Sequence, residues 1–277
     1  MTNNKQDAPL YFKQERGLTA VWGKECVQFL NGLITNDVAA LGDGAEMRAA
    51  FPNAQGRLLA IVRVRRDGER FLIETEAATR EKVFGTLFRF TFAGDFFVED
   101  LSDQYDFFSV AGAFDSGAAT QFTTGGLVGI FLPRGDVPAG AAEIDAETFE
   151  RLRIERGVPV FGVDCDESTI VPELGTDGLI SYNKGCYSGQ EIIARIHFRG
   201  HVAKQLRGLK FDRRVEPGAE LRSTDGKPAG RVTSVATSSE FGEIALGFVR
   251  YEYLGPGTRL ECGEAKCEVA ELPMSPC

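Results

Sequence analysis

A change of texture near Val202 constrains the fold of this chain more than any other feature. Downstream, short strand-like runs follow one another with no helical period between them: Leu206–Phe211, Gly230–Ala236, Glu243–Phe248, Thr258–Cys262 and Ala265–Ala270. Pro217-Gly218, Asp225-Gly226 and Gly255-Pro256-Gly257 supply the turns that separate them. Regular short strands with no helix to cover a sheet face predict a small antiparallel β-barrel. The chain therefore divides into a region over 1–201 and a barrel domain over 202–277.

Upstream, helical and strand patterns alternate. Glu25 to Leu33 is amphipathic and predicts a helix. Met47–Phe51 and Leu58–Arg65 read as strands joined by the turn-rich Pro52–Gly56, and Asp67-Gly68 signals a hairpin into Arg70–Thr75. Ala77–Phe92 reads as a helix with Val83, Leu87, Phe88 and Phe92 on its apolar side, followed by strands over Asp95–Leu101 and Tyr105–Ala111. Glu147–Arg156 is a further helix, stopped by Gly157 and Pro159. Phe149 and Leu152 share one of its faces, and the spacing of Arg151 and Glu155 predicts an exposed i,i+4 ion pair. The fold class is α+β with packed sheets.

At 277 residues, 43% hydrophobic and 26% charged, the chain can bury a sizeable core and is not of disordered composition. No apolar run approaches the ~18 residues of a membrane span. Met1–Pro9 has neither a secretion signal's apolar core nor a transit peptide's Arg-rich, acid-poor character, so a cytoplasmic monomer is expected. A net charge of −9 disfavours stable nucleic-acid binding. The basic run Lys204–Arg214, with Arg207, Lys210, Arg213 and Arg214, reads as a solvated strand and turn edge. The six cysteines form no C-x-x-C pair, which argues against a zinc ribbon or a ferredoxin pattern. Cys262 and Cys267, placed to face each other across a hairpin, read as a reduced pair. Gly200 between His197 and His201 argues against a helical metal site, and no metal is expected.

The most informative short stretch is Lys184-Gly185-Cys186-Tyr187-Ser188-Gly189-Gln190-Glu191. Gly185 and Gly189 suit a tight turn that holds a side chain in a cleft. If Gln190–Arg195 is helical, Cys186 sits near a helix N-terminus and beside an ammonium, which favours the thiolate. The plainer reading is a buried, inert cysteine.

This stretch, with Ala194-Arg195 and Arg199-Gly200 after it, resembles the signature of the YgfZ family. That family comprises folate-binding proteins related to the T-protein of the glycine cleavage system and to mitochondrial Iba57. Gly23–Asp37 resembles the family's opening helix and Asn36-Asp37 turn, and Asn53-Ala54-Gln55-Gly56-Arg57 its first hairpin. Arg153–Pro159 resembles its central helix end, and Val171-Pro172-Glu173 the element before the signature. The resemblance implies a T-protein-like folate-binding body with a ferredoxin-like part, closed by the C-terminal barrel. It implies tetrahydrofolate or a derivative as cofactor, bound through Glu155, Phe149, Arg153, Asn36, Asp37 and Tyr187. The Glu155 carboxylate would meet the pterin's 2-amino-pyrimidinone edge. Cys186 would be the working thiol facing the folate cavity, Lys184 would lower its pKa, and Gly185, Gly189, Gln190, Glu191 and Arg195 would support the motif.

The chain departs from the pattern of the bacterial YgfZ proteins at one point and from that of the T-protein at another. Ala60 or Ile61 falls where that protein keeps an aspartate for methylene transfer, which removes the general-base logic of the reaction. Of the aromatic folate contacts of bacterial YgfZ proteins, one falls on Phe149 and the other on Arg16, whose guanidinium plane can also stack. The implied function is assistance to iron–sulfur cluster assembly or repair, and to the tRNA modification that depends on it, with iron–sulfur assembly proteins or client enzymes as partners. Two alternatives stand beside it: a tetrahydrofolate-dependent one-carbon (aminomethyl) transferase, and a non-catalytic adaptor for iron–sulfur scaffold proteins. Turnover is left open. An enzyme of this kind would require both tetrahydrofolate and the thiol.

Overall fold

The protein is described by a computed structural model that covers residues 8–115, 117 and 120–274. The first strand, β1 (Leu10–Gln14), is separated by Glu15 alone from β2 (Arg16–Trp22), and the two join different sheets. β2 is buried along almost its whole length, so it shows no alternation of apolar and polar residues and was not legible as a strand. Helix α1 (Cys26–Leu33) follows, then β3 (Glu46–Pro52), β4 (Leu58–Asp67) and β5 (Arg70–Glu76). These are the predicted strands, extended by one or two residues.

The expected helix over 77–92 is three pieces: a 3-10 turn at Ala77–Thr79, α2 (Arg80–Phe88) and a second 3-10 turn at Arg89–Phe92. Val83 and Leu87 are buried, but Phe88 and Phe92 are 44% and 84% exposed. A 3-10 turn winds three residues per turn, so the apolar stripe drifts off the sheet at this end. β6 (Phe97–Asp100) completes an antiparallel sheet of order β3-β4-β5-β2-β6.

The second sheet contains β7 (Tyr105–Ala111), β8 (Thr120–Thr124), β9 (Leu127–Pro133) and the short β10 (Ala142–Glu143), in the order β10-β1-β7-β9-β8. Leu18, Ala20 and Leu72 of the first sheet pack against Phe107, Phe122 and Phe131 of the second. α3 (Ala146–Glu155) starts at Asp145, whose carboxylate accepts from Thr148 N–H, and ends at Gly157 with φ +67°. α4 (Gln190–Arg199) leads into the barrel.

That barrel is closed, as the sequence predicted: β11 (Lys204–Phe211), β12 (Glu220–Ser223), β13 (Pro228–Ser238), β14 (Gly242–Arg250), β15 (Arg259–Cys262) and β16 (Ala265–Ala270) run β11-β14-β13-β12-β15-β16, with β16 back against β11. The register sets Cys267 opposite Leu260 and Cys262 opposite Ala265, so the two thiols are not directly paired. Arg207, in the basic run, donates to Leu254 O from the barrel wall. His197 stacks on Tyr182 at 3.6 Å and His201 on Tyr251 at 3.7 Å.

Candidate functional site

The stretches that carry the resemblance lie far apart in sequence and meet at one junction. Gly189 has φ +77°, and a Cβ there would stand 2.3 Å from Asn53 O and 2.9 Å from the Gly56 backbone. Only glycine permits that approach between the signature and the β3–β4 turn. The turn is braced from the other side: Val171 N–H donates to Gly56 O, Leu58 N–H to Thr169 O, and Arg57 Nη1 to Ser168 O. Glu173 accepts from Ile170 N–H. Ser188 N–H donates to Gly32 O, which ties in the end of α1. Gly185, by contrast, faces open space and has no conformation that demands glycine.

Lys184 is anchored on the backbone just past the end of α1. Its ammonium donates to Ile34 O at 2.8 Å and Asn36 O at 2.6 Å, and lies 5.2 Å from the Tyr187 ring centre. Burial pushes its pKa down to about 8, and the nearby Asp37 carboxylate offsets that shift only in part. Tyr187 is buried, and burial raises its hydroxyl to about 12. Cys186 is exposed, the one such cysteine among the described residues; burial raises the thiols of Cys26, Cys165, Cys262 and Cys267. Glu191 lies in the first turn of α4, where a carboxylate suits the helix dipole, Gln190 N–H bonds Tyr187 O, and Arg195 is exposed. Cys277 lies outside the described residues.

A second constellation sits between the two sheets, and sequence reasoning missed it. Arg16, Arg48, Arg63, Glu74 and Glu76 converge with Phe149 on a small cavity of about 40 Å³. Arg63 is directly opposite Glu74 in the β4–β5 register and donates to its Oε2 at 2.6 Å. Arg16 Nη1 forms an ion pair with Glu74 Oε1 at 3.1 Å, although that buried oxygen accepts no hydrogen bond. Arg48 Nε is unpartnered as well. Burial pushes the Glu74 carboxyl up, but Arg63 and then Arg16 outweigh it and hold it below the ordinary carboxylate value. On Glu76 burial wins and its pKa is raised, Arg16 offsetting it only in part. Burial, with Arg63 beside it, lowers Arg48 to about 10. The signal for this pair was present. Asp67-Gly68 fixes the hairpin register, and counting back sets Arg63 of Ile61-Val62-Arg63-Val64 against Glu74 of Leu72-Ile73-Glu74.

The expected folate contacts separate into two groups. Phe149 lines the cavity, with one face stacked on Phe12 at 4.6 Å, and Ile61 lines it where the transferase acid was expected. Glu155 is elsewhere, against the barrel: it takes hydrogen bonds from Arg151 at 2.9 Å and Ser238 at 2.7 Å. Only its spacing to Phe149 could have told this, since six residues of helix turn a side chain by about 240°. Arg153 is 2% exposed, with its donors taken by Glu150, Asp164, Ser234 and Val158 O. It staples α3 to the barrel and has no N–H left for a ligand. Asn36 donates to Arg48 O and Gly178 O, and Asp37 accepts from Asn31 and Ala39 N–H, so both brace loops. Tyr187 and Cys186 do not reach the cavity wall. Tyr187 packs in an apolar cluster that Ile61 joins from the cavity side.

Residues 204–274 match the family model of the glycine cleavage T-protein C-terminal barrel domain. The crystal structure of glycine cleavage system aminomethyltransferase T from Bartonella henselae superposes over 96% of this chain and 86% of its own, with TM-score 0.83 and 21% identity. The architecture is thus that of the glycine cleavage T-protein. The mitochondrial iron–sulfur cluster assembly factor IBA57 homolog of Mycosarcoma maydis is 30% identical over 71% of this chain and 55% of its own length. The tRNA-modifying protein YgfZ of Escherichia coli O157:H7 is 26% identical over 86% of this chain and 84% of that one. The chain thus has the T-protein architecture and is similar in sequence to YgfZ and IBA57 proteins, and it spans little more than half of the Mycosarcoma relative.

Proposed function

We propose that this protein binds a reduced folate in the cavity between its sheets and assists iron–sulfur cluster assembly or repair, with the Cys186 thiol as its working group. The observation that carries this reading is the placement of Cys186. It is exposed on a loop fixed by the Lys184 bonds and the Gly189 contact, where a partner protein can reach the sulfur. The IBA57 and YgfZ relatives supply the process in which such a thiol would act. Cavity and thiol open to different surroundings, so folate would act on the signature through packing: Ile61 touches both the cavity and the Tyr187 cluster, and Asn36 bonds the Arg48 carbonyl. This separation favours an assembly-assisting role over direct carbon transfer to or from the thiol.

Aminomethyl transfer is the weaker reading despite the Bartonella likeness. Ala60 is fully buried and Ile61 presents an alkyl wall, leaving no acid at the expected place. Incubation with an aminomethyl donor and tetrahydrofolate should release no ammonia at a transferase-like rate. Titration calorimetry with tetrahydrofolate tests the proposal itself, and saturable binding is expected. Its absence up to millimolar ligand, a binding free energy of only ~4 kcal/mol, would refute the folate assignment.

A further inference from the structure

Lys204 of β11 stands directly opposite Arg250 of β14 in the barrel. Like charges in facing positions weaken a sheet. Two residues along β14, Phe248 faces Arg231 of β13, and the Lys204 ammonium sits 4.6 Å from the Phe248 ring centre. Arg231 in turn faces Glu220 of β12, but that carboxylate pairs with Arg222 at 3.1 Å. The Arg231 guanidinium lies against Gly218, where a Cβ would stand 3.2 Å from its Nη2. Neither Arg231 nor Arg250 has a hydrogen bond or an ion pair among the described residues. These groups line a cleft of about 820 Å³ between the barrel and the loop at 162–169. The acids of that loop are engaged already: Asp164 holds Arg153, and Asp166 accepts from Ser168 N–H and Oγ. Lys204, Arg231 and Arg250, none of them in an ion pair, thus share one concave space in a chain of net charge −9. The cleft has no lining residue in common with the cavity between the sheets or with the Lys184–Glu191 stretch.

We propose that this cleft binds an oligophosphate, the linked phosphate groups of a small molecule, held by Lys204, Arg231 and Arg250. The two planar guanidinium forks match phosphate oxygens in pairs, and the ammonium adds a third positive charge. An anion between Lys204 and Arg250 replaces their mutual repulsion by attraction on both sides. Linked phosphates supply several negative charges close together, which a single carboxylate does not. The protein's overall negative charge works against diffuse anion binding, so the affinity has to come from these side chains. The cleft volume is within the range of small-ligand sites and admits a nucleotide as well as a bare phosphate chain. Both sources present the same phosphates, and the nucleotide adds its base.

Calorimetry of the full chain in magnesium-free buffer should use inorganic tripolyphosphate, ATP and citrate as separate probes. The variants are Arg231→Met, Arg250→Met and, as a control on the turn after β11, Arg213→Met. Arg231 and Arg250 have no partner to strand, so both variants should fold. Arg250→Met, which removes the like-charge pair, should melt at or above the wild type without ligand. The expected result is saturable binding of tripolyphosphate, weakened roughly tenfold or more in Arg231→Met and Arg250→Met and unchanged in Arg213→Met. Tripolyphosphate should also raise the wild-type melting temperature more than that of either cleft variant. ATP binding equal to tripolyphosphate would uphold the site as a reader of phosphates alone, and tighter ATP binding would uphold it as a nucleotide site. Citrate binding as tight as tripolyphosphate would overturn the phosphate assignment. An equal loss in Arg213→Met, unchanged binding in both cleft variants, or no saturable binding up to millimolar tripolyphosphate would overturn the site.

Discussion

Replacing Arg153 by methionine tests whether this residue is a ligand contact or a staple. The change keeps the apolar stem but removes the guanidinium that joins α3 to Asp164, to Ser234 of β13 and to Val158 O. Arg153 and Asp164 are 2% and 3% exposed, so Asp164 would be left as a buried charge with Thr233, Ser234 and Val160 N–H as its remaining partners. Breaking a buried pair by deleting one side costs about 3–5 kcal/mol. For a chain of this size that lowers the melting temperature by roughly 6–20 °C. Adding Asp164→Asn should return part of the loss, because it removes the stranded charge and keeps an acceptor; a double-mutant cycle in urea measures that coupling. A loss below about 1 kcal/mol, or normal melting with folate binding abolished, would refute the staple.

Three further outcomes are expected. Gly189→Ala should destabilise the protein by at least 1–2 kcal/mol from its left-handed backbone alone, and hydrogen exchange should rise at 53–57 and 184–191 together; unchanged exchange would separate the two loops. At neutral pH an alkylating reagent should modify Cys186 before Cys26, Cys165, Cys262 and Cys267, read by peptide mass mapping, because burial raises those four thiols and shields them. Glu76 has a folded pKa above its unfolded value of 4.5, so the unfolded chain ionises first and this residue's contribution to stability falls as pH rises above about 4.5. Glu76→Gln should flatten that fall in urea titrations above about pH 4.5, and an unaltered slope would show that Glu76 ionises freely.

The barrel was legible because strand-like runs follow one another with turn glycines between them and no helical period; only β12, four residues long, escaped notice. The body was harder to read. β2 is covered on both faces and lacks a period, and β8 and β9 flank a Gly125-Gly126 turn that the reading passed over. The signature was recognised as a unit, yet Lys184, Asn36 and Asp37 proved to bind backbone and loops, a role that shows only when distant segments are brought together. The cavity charges escaped for a related reason. Glu74, Arg63 and Arg16 look like ordinary strand polars until the pairing of β4, β5 and β2 faces them inward.

The claim that the thiol is the working group is tested most directly in cells deleted for their own equivalent protein, by assaying an iron–sulfur enzyme's activity. The wild-type chain should restore that activity, and Cys186→Ser should not, although the variant should melt and bind tetrahydrofolate as the wild type does, since one exposed atom has changed. Full restoration by the serine variant would contradict the account and reduce the signature to its structural part, the Lys184 bonds and the Gly189 contact.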